Sequence, residues 1–205
     1  EPVWGTGVGA HHGVAIYGGF EGLASETDRL MRDWTANETI LSGELGDTGT
    51  AFDNSYHVVR SGSGVGSSAI LDGFTITDGW ADGTSGTDNL GGGVLNLGAD
   101  GSEASPTFAN LIITYNGAFK GAGMYNEHAE PDLTNVNINS NVLRPTASEP
   151  GRGGGMYNLH SAPNLSYVTF LHNWTSGYPE CGGHGGGMYN EYSNAVLDHV
   201  SFIDN

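Results

Sequence analysis

The sequence predicts an all-β chain, a right-handed parallel β-helix (β-solenoid) of about 25–32 residues per coil with loop insertions. Three observations predict it. A glycine-rich phrase recurs four times, an apolar phrase recurs in step with it, and no stretch shows the long amphipathic run that a helical repeat needs.

The glycine-rich phrase reads Gly91-Gly-Gly-Val-Leu-Asn96, Gly121-Ala-Gly-Met-Tyr-Asn126, Gly153-Gly-Gly-Met-Tyr-Asn158 and Gly185-Gly-Gly-Met-Tyr-Asn190, its closing Asn recurring at intervals of 30, 32 and 32. The apolar phrase reads apolar-x-x-apolar-x-apolar-x-x-Asn. It occurs at Phe108/Leu111/Ile113/Asn116, Leu133/Val136/Ile138/Asn141, Leu165/Val168/Phe170/Asn173 and Leu197/Val200/Phe202/Asn205, with a degraded copy at Leu71/Phe74/Ile76/Gly79. Each repeat is thus expected to carry two strand-like elements. The compact repeat, from Phe108 to Leu133, is 25 residues; the longer ones gain seven at one place, as in Arg144-Pro-Thr-Ala-Ser-Glu-Pro150. Insertions at a fixed position on a constant scaffold are how repeat arrays vary.

Period two in Val136/Ile138, Val168/Phe170 and Val200/Phe202 identifies strands, and Gly-Gly-Gly would weaken any helix. Stacked strands lie ~4.8 Å apart, so like residues come to lie over like. Asn at equivalent turns can then form hydrogen-bonded ladders. The expected ladders are Asn96/Asn126/Asn158/Asn190 and Asn116/Asn141/Asn173/Asn205, with Asn also suited to the left-handed backbone of a sharp corner. Alternation turns Met124, Met156 and Met188 inward and Tyr125, Tyr157 and Tyr189 outward as an aromatic stack, with Leu95 in the first copy.

Residues 1–60 lack the glycine phrase but still read as β: Gly13-Val-Ala-Ile-Tyr-Gly-Gly-Phe20, Thr39-Ile-Leu-Ser-Gly43 and Tyr56-His-Val-Val-Arg60 are short strands. Between the first two, Ser25 to Thr35 is an irregular or helical excursion carrying Arg29 and Arg32, with Trp34 placed to pack it down. The expected organisation is one domain over 1–205, with irregular coils over 1–60 and regular ones over 61–205. Glu1-Pro2 and the repeat motif at Asn205 are expected to be breaks in a longer protein, continuing beyond both ends.

Charge narrows the partners. Six Lys+Arg against 23 Asp+Glu give a net charge of −17, a field that repels phosphate backbones and anionic membranes. Nucleic acid is therefore rejected as a partner. No apolar run reaches the ~18 residues of a membrane span, so direct membrane insertion is not expected. A single cysteine, Cys181, excludes a disulfide framework within the chain.

Val14-Ala-Ile-Tyr-Gly-Gly-Phe20, Thr39-Ile-Leu-Ser-Gly43, Asp53-Asn-Ser-Tyr-His-Val-Val59 and Ala69-Ile-Leu-Asp-Gly-Phe-Thr-Ile-Thr77, followed by the Gly-Gly-Gly-Met-Tyr-Asn repeats, resemble large bacterial right-handed parallel β-helix repeat proteins, secreted or surface-anchored. The alternation with Phe170-Leu-His-Asn173 and Phe202-Ile-Asp-Asn205 is also similar to polymorphic outer-membrane protein repeats. The resemblance implies a bacterial location that is secreted or on the cell surface. The expected role is structural or adhesive, as stalk, matrix or filament component, with other copies joined end to end or laterally through open strand edges. The alternative is a carbohydrate-binding or polysaccharide-degrading β-helix.

Candidate chemistry is sparse. A glycosidase wants two carboxylates ~5–9.5 Å apart, and a lyase wants clustered Asp with a basic residue. The bases are Arg29, Arg32, Arg60, Lys120, Arg144 and Arg152, none in register with an Asp cluster, and Asp72 and Asp198 are expected coils apart. The expectation is a chain that is not an enzyme, with no catalytic residue and no metal centre. Tyr125, Tyr157 and Tyr189 are the candidate binding residues, for sugar rings or a partner chain, beside the plainer reading of an aromatic ladder that only stabilises neighbouring coils. Calcium is the one cofactor considered, at Asp47/Asp53 or Asp78, Asp82, Asp88 and Asn89, although the spacing fits neither an EF-hand nor a calcium β-roll. His128 and His160 are expected to stack; Cys181 with His184, and the phosphate-loop lookalike Gly5-Thr-Gly-Val-Gly9, are read as incidental.

Overall fold

The computed structural model describes residues 3–4 (backbone alone), 13–23, 26–144, 150–175 and 183–205. Gly5–Gly9, Ser25, Cys181 and most of the insertion after Arg144 lie outside the described residues.

The chain is all-β, and every strand pairing in its three sheets is parallel. The first sheet joins Val3–Trp4, Val59–Gly62, Val94–Leu97, Met124–Glu127, Met156–Leu159 and Met188–Glu191 in that order. The glycine phrases therefore lie side by side, with Val59, Val94, Met124, Met156 and Met188 in one register row. The second sheet is built on the apolar phrase, through Thr107–Thr114, Asp132–Asn139 and Asn164–Leu171. Its rows run Leu71, Phe108, Leu133, Leu165, Leu197 and Ile76, Ile113, Ile138, Phe170, Phe202.

A third sheet joins Trp80–Ala81, Gly117–Ala118, Val142–Leu143 and Trp174–Thr175. Each repeat thus has three strands where the sequence suggested two. The missed strand is two residues long, too short for a period to register, and its side chains range from Gly to Trp.

The spacing within the apolar phrase has a backbone cause. Pairing in the second sheet skips Asn110 and Asn135, which have φ of 52° and 55°, as do Tyr167 (55°) and His199 (51°) in later copies. One left-handed residue breaks the alternation, so Leu133 and Val136, three apart, are both buried. A second such column, Asp78, Tyr115, Ser140, His172 and Asp204, precedes the phrase-closing Asn or Gly, and a third holds His128, His160 and Tyr192. These columns account for all twelve non-glycine residues with positive φ among those described.

The main apolar core fills the space between the first and second sheets, from Val59, Val94, Met124 and Met156 on one side to Phe108, Leu133, Ile138 and Phe170 on the other. The two sequence phrases meet there. A Cβ on Gly123 would lie 2.5 Å from the Gly155 carbonyl oxygen and 2.9 Å from Asn141 Nδ2; one on Gly155 would lie 2.7 Å from Phe170 Cδ1. The third glycine of the phrase lets the first sheet approach the apolar side chains and the corner Asn of the second.

The first repeat carries a large insertion. Ala15–Tyr17 pairs with Ile70–Asp72, and Ile40–Ser42 pairs with Thr75–Thr77. The later repeats join these two strand halves through one corner; here residues 18–39 intervene, holding the 3₁₀ turn Arg29–Met31. Arg32 fastens the excursion: Nη2 donates to Asp72 Oδ2 at 2.5 Å and Nη1 to the Gly18 carbonyl at 3.1 Å, with its guanidinium 4.9 Å over the Trp34 ring. The Trp34 backbone lies where a Gly19 side chain would be.

Candidate functional site

The two Asn columns are continuous hydrogen-bonded rows. In the glycine phrase, Asn96 Nδ2 donates to Asn126 Oδ1, Asn126 to Asn158 and Asn158 to Asn190, each at 2.7 Å; Ser61 Oγ donates to Asn96 Oδ1 at 2.6 Å. In the apolar phrase, Asn116 Nδ2 donates to Asn141 Oδ1 (3.0 Å), Asn141 to Asn173 (3.0 Å) and Asn173 to Asn205 (2.8 Å). These corner Asn also serve the backbone. Asn141 Nδ2 donates to the Ile113 carbonyl at 2.9 Å, and its Oδ1 accepts from the Asn116 backbone N–H at 3.1 Å.

One expectation about this column needs correcting. The left-handed residue at the corner is the one before each Asn: Tyr115, Ser140, His172 and Asp204. The Asn keeps ordinary φ and contributes through its amide, which replaces partners that the backbone loses as the chain turns.

The tyrosine stack is found as expected, but its exposure is corrected. Tyr125, Tyr157 and Tyr189 do stack, with centroids 5.2 and 5.5 Å apart and planes within 6°. The stack is covered, however: Tyr125 is 3% and Tyr157 1% exposed. The residue before each glycine phrase is the cover. Leu90, Lys120, Arg152 and His184 are bridged in parallel, with Lys120 Nζ 5.3 Å over the Tyr157 ring and Arg152 5.5 Å over Tyr189. The first glycine, at φ of 57° to 66° in Gly91, Gly121, Gly153 and Gly185, makes the turn that puts it there. The phenols end on carboxylates, Tyr125 on Glu127 at 3.1 Å and Tyr157 on Glu191 at 2.5 Å. Burial first, and these acids second, push both phenol pKa values far above the ordinary 10.0. No open ring face is left on Tyr125 or Tyr157 for a sugar.

Acids and bases are dispersed. Asp72 and Asp198 share a register row but stand four strands apart through Ala109, Thr134 and Ser166, roughly 19 Å at ~4.8 Å per step. Arg29 lies over Tyr17, and Arg144 lies 4.4 Å over Trp80 and 3.3 Å from Asp82. Asp53 Oδ2 accepts from the Asp47 backbone N–H at 2.9 Å, and Asp78 Oδ2 from Ser42 Oγ at 3.0 Å. Among the described residues no group of three His, Cys, Asp or Glu side chains is placed to hold a metal ion. His128 and His160 stack at 5.2 Å, and Tyr192 extends the column at 5.0 Å.

A groove that sequence reasoning missed lies where the excursion overhangs the outer face of the second sheet. Its volume is 490 Å³, within the usual range of ligand sites. Trp34, against Gly73, stands at one end and Tyr167 at the other. Between them the wall follows the left-handed column through Asn110 and Asn135, and the floor holds Thr75, Ile112, Asn137 and Thr169. From Gly73 to Tyr167 is three strand steps, about 14 Å along the stacking direction. Asn135 Nδ2 donates to Asn110 Oδ1 (2.8 Å), and Asn110 Nδ2 donates to Asp72 Oδ1 (2.7 Å), so an amide relay anchored by Arg32–Asp72 fixes the wall. Glu38, on the excursion side, accepts from the Thr75 hydroxyl at 2.7 Å. The sequence signal for the corner is the three-residue apolar spacing; nothing local links residues 34 and 38 to 110–169.

No family model matches the chain, and neither a curated protein nor a solved structure matches it. Among the described residues no helix is long and apolar enough to cross a membrane, which says nothing about membrane β-barrels.

Proposed function

We propose that this chain is a segment of right-handed parallel β-helix serving as a structural or adhesive scaffold, secreted by or displayed on a bacterial cell. The observation that carries the reading is the unbroken stacking of like on like: Met124 on Met156 on Met188, Asn on Asn, Tyr on Tyr, each step in parallel register. Each complete repeat visits the three sheets in the same order, as a winding chain requires. The Asn and Tyr columns spend their amides and rings on neighbouring repeats. In such an array, stability comes from nearest-neighbour interfaces, and a stiff rod follows. Self-association, end to end or lateral, belongs to the proposal, because exposed strand edges accept further strands.

Small-angle scattering combined with sedimentation tests this. A rod-like distance distribution that lengthens or thickens with concentration is the expected result. An isotropic particle of fixed mass would remove both the winding and the assembly. A screen for released reducing ends across soluble polysaccharides tests the alternative of a degrading enzyme; turnover by the purified chain would displace the scaffold reading.

A further inference from the structure

We infer that the groove between the excursion and the second sheet binds a neutral glycan chain, laid along the stacking direction. This would give the displayed surface a partner, and it does not depend on the scaffold reading. Three features select the ligand class. First, both ends carry partly exposed aromatic rings, Trp34 37% and Tyr167 58%; one face of each is already taken, by the Arg32 guanidinium and by the His199 ring at 4.6 Å, and the opposite face suits the apolar face of a sugar ring. Second, the lining between them is hydroxyl and amide, from Thr75, Asn137 and Thr169, groups that both donate to and accept from sugar hydroxyls. Third, among the described residues no Lys or Arg lines the groove. The nearest cation, Arg32, is turned onto Asp72 and the Trp34 ring.

That third feature excludes a polyanion. A uronate or sulfated polymer would meet Glu38 and a chain of net charge −17 with no local counter-charge. A peptide strand is a poor fit as well, because the floor is the face of a sheet whose backbone groups are already paired on both sides. The wall is preorganised: the Asp72–Asn110–Asn135 relay holds the amides before any ligand arrives, which reduces the ordering cost of binding.

Affinity electrophoresis through gels containing soluble neutral polysaccharides (a mixed-linkage β-glucan, a xyloglucan, a galactomannan) and, separately, polygalacturonate tests the inference. The chain should be retarded by at least one neutral polymer and not by the polygalacturonate. Tyr167→Asn keeps the left-handed corner, because its own column carries Asn at 110 and 135, and should weaken that retardation at least tenfold. Tyr115→Ser, an exposed ring at another corner whose next copy is Ser140, should leave it unchanged. Circular dichroism melting verifies that both variants fold. Retardation by polygalacturonate alone, by none of the polymers, or with equal sensitivity to both substitutions overturns the inference. None of these results bears on the rod shape that tests the scaffold.

Discussion

The two asparagine columns are identical in residue type and close in spacing, yet they hold the molecule differently. In the glycine phrase, Asn126 sits mid-strand, where its backbone already has sheet partners, and its amide meets only Asn96 and Asn158. At the corner, the Asn141 amide makes four bonds, two to neighbouring Asn side chains and two to backbone groups of Asn116 and Ile113. Both side chains are fully buried. A buried Asn in a strand satisfies itself, whereas a buried Asn at a turn also satisfies the turn.

Breaking the corner should therefore have the largest effect. Asn141→Ala removes four buried bonds and orphans the Asn116 backbone N–H, and denaturant titration should show a loss of about 4 kcal/mol. Asn126→Ala leaves only side-chain amides unpaired and should cost about 2 kcal/mol in the same assay. Equal losses would remove the distinction between the columns.

Tyr157→Phe comes next, at about 1 kcal/mol, for the lost bond to Glu191. The same tyrosines make stability depend on alkaline pH. Their folded pKa values lie above the unfolded value of 10.0, because of burial and then the Glu127 and Glu191 contacts. The stability they contribute is fully present below pH 10.0 and declines as pH rises beyond it, since the unfolded chain releases protons that the folded chain keeps. Phenolate absorbance should show Tyr125 and Tyr157 ionising only as the fold is lost. Ionisation of Tyr125 and Tyr157 with the fold intact, seen as the absorbance lost in the double Tyr→Phe variant, would contradict this.

Ser140→Gly should have the smallest effect, a gain of about 0.5 kcal/mol, as relief of a left-handed φ of 53° outweighs the added freedom of the unfolded chain. It would localise the corner's strain to the residue before Asn141.

The rows of Met124/Met156/Met188 and Val136/Val168 could be read from the sequence because repeat interval and period two are both local properties. Which residue of the Ser140–Asn141 pair turns left-handed could not, since both types tolerate that backbone. The cover over Tyr125 and Tyr157 was hidden because it comes from Lys120 and Arg152, a set of unlike residues defined only by the glycine that follows. The third sheet and the groove escaped for a related reason. One is built from strands of two residues, and the other from an insertion meeting repeats far along the chain.

The columns of positive φ carry a further consequence for how this surface can change. They hold Asn, Asp, Ser, His, Tyr and Gly but no Val, Ile or Thr, since a branched Cβ is the feature such a backbone tolerates least. Acidic, aromatic, imidazole and amide groups can thus replace one another on the outer ridges while the interior stays as it is. The outline is fixed, the chemistry written along it is free, and the one barred alphabet is the branched one.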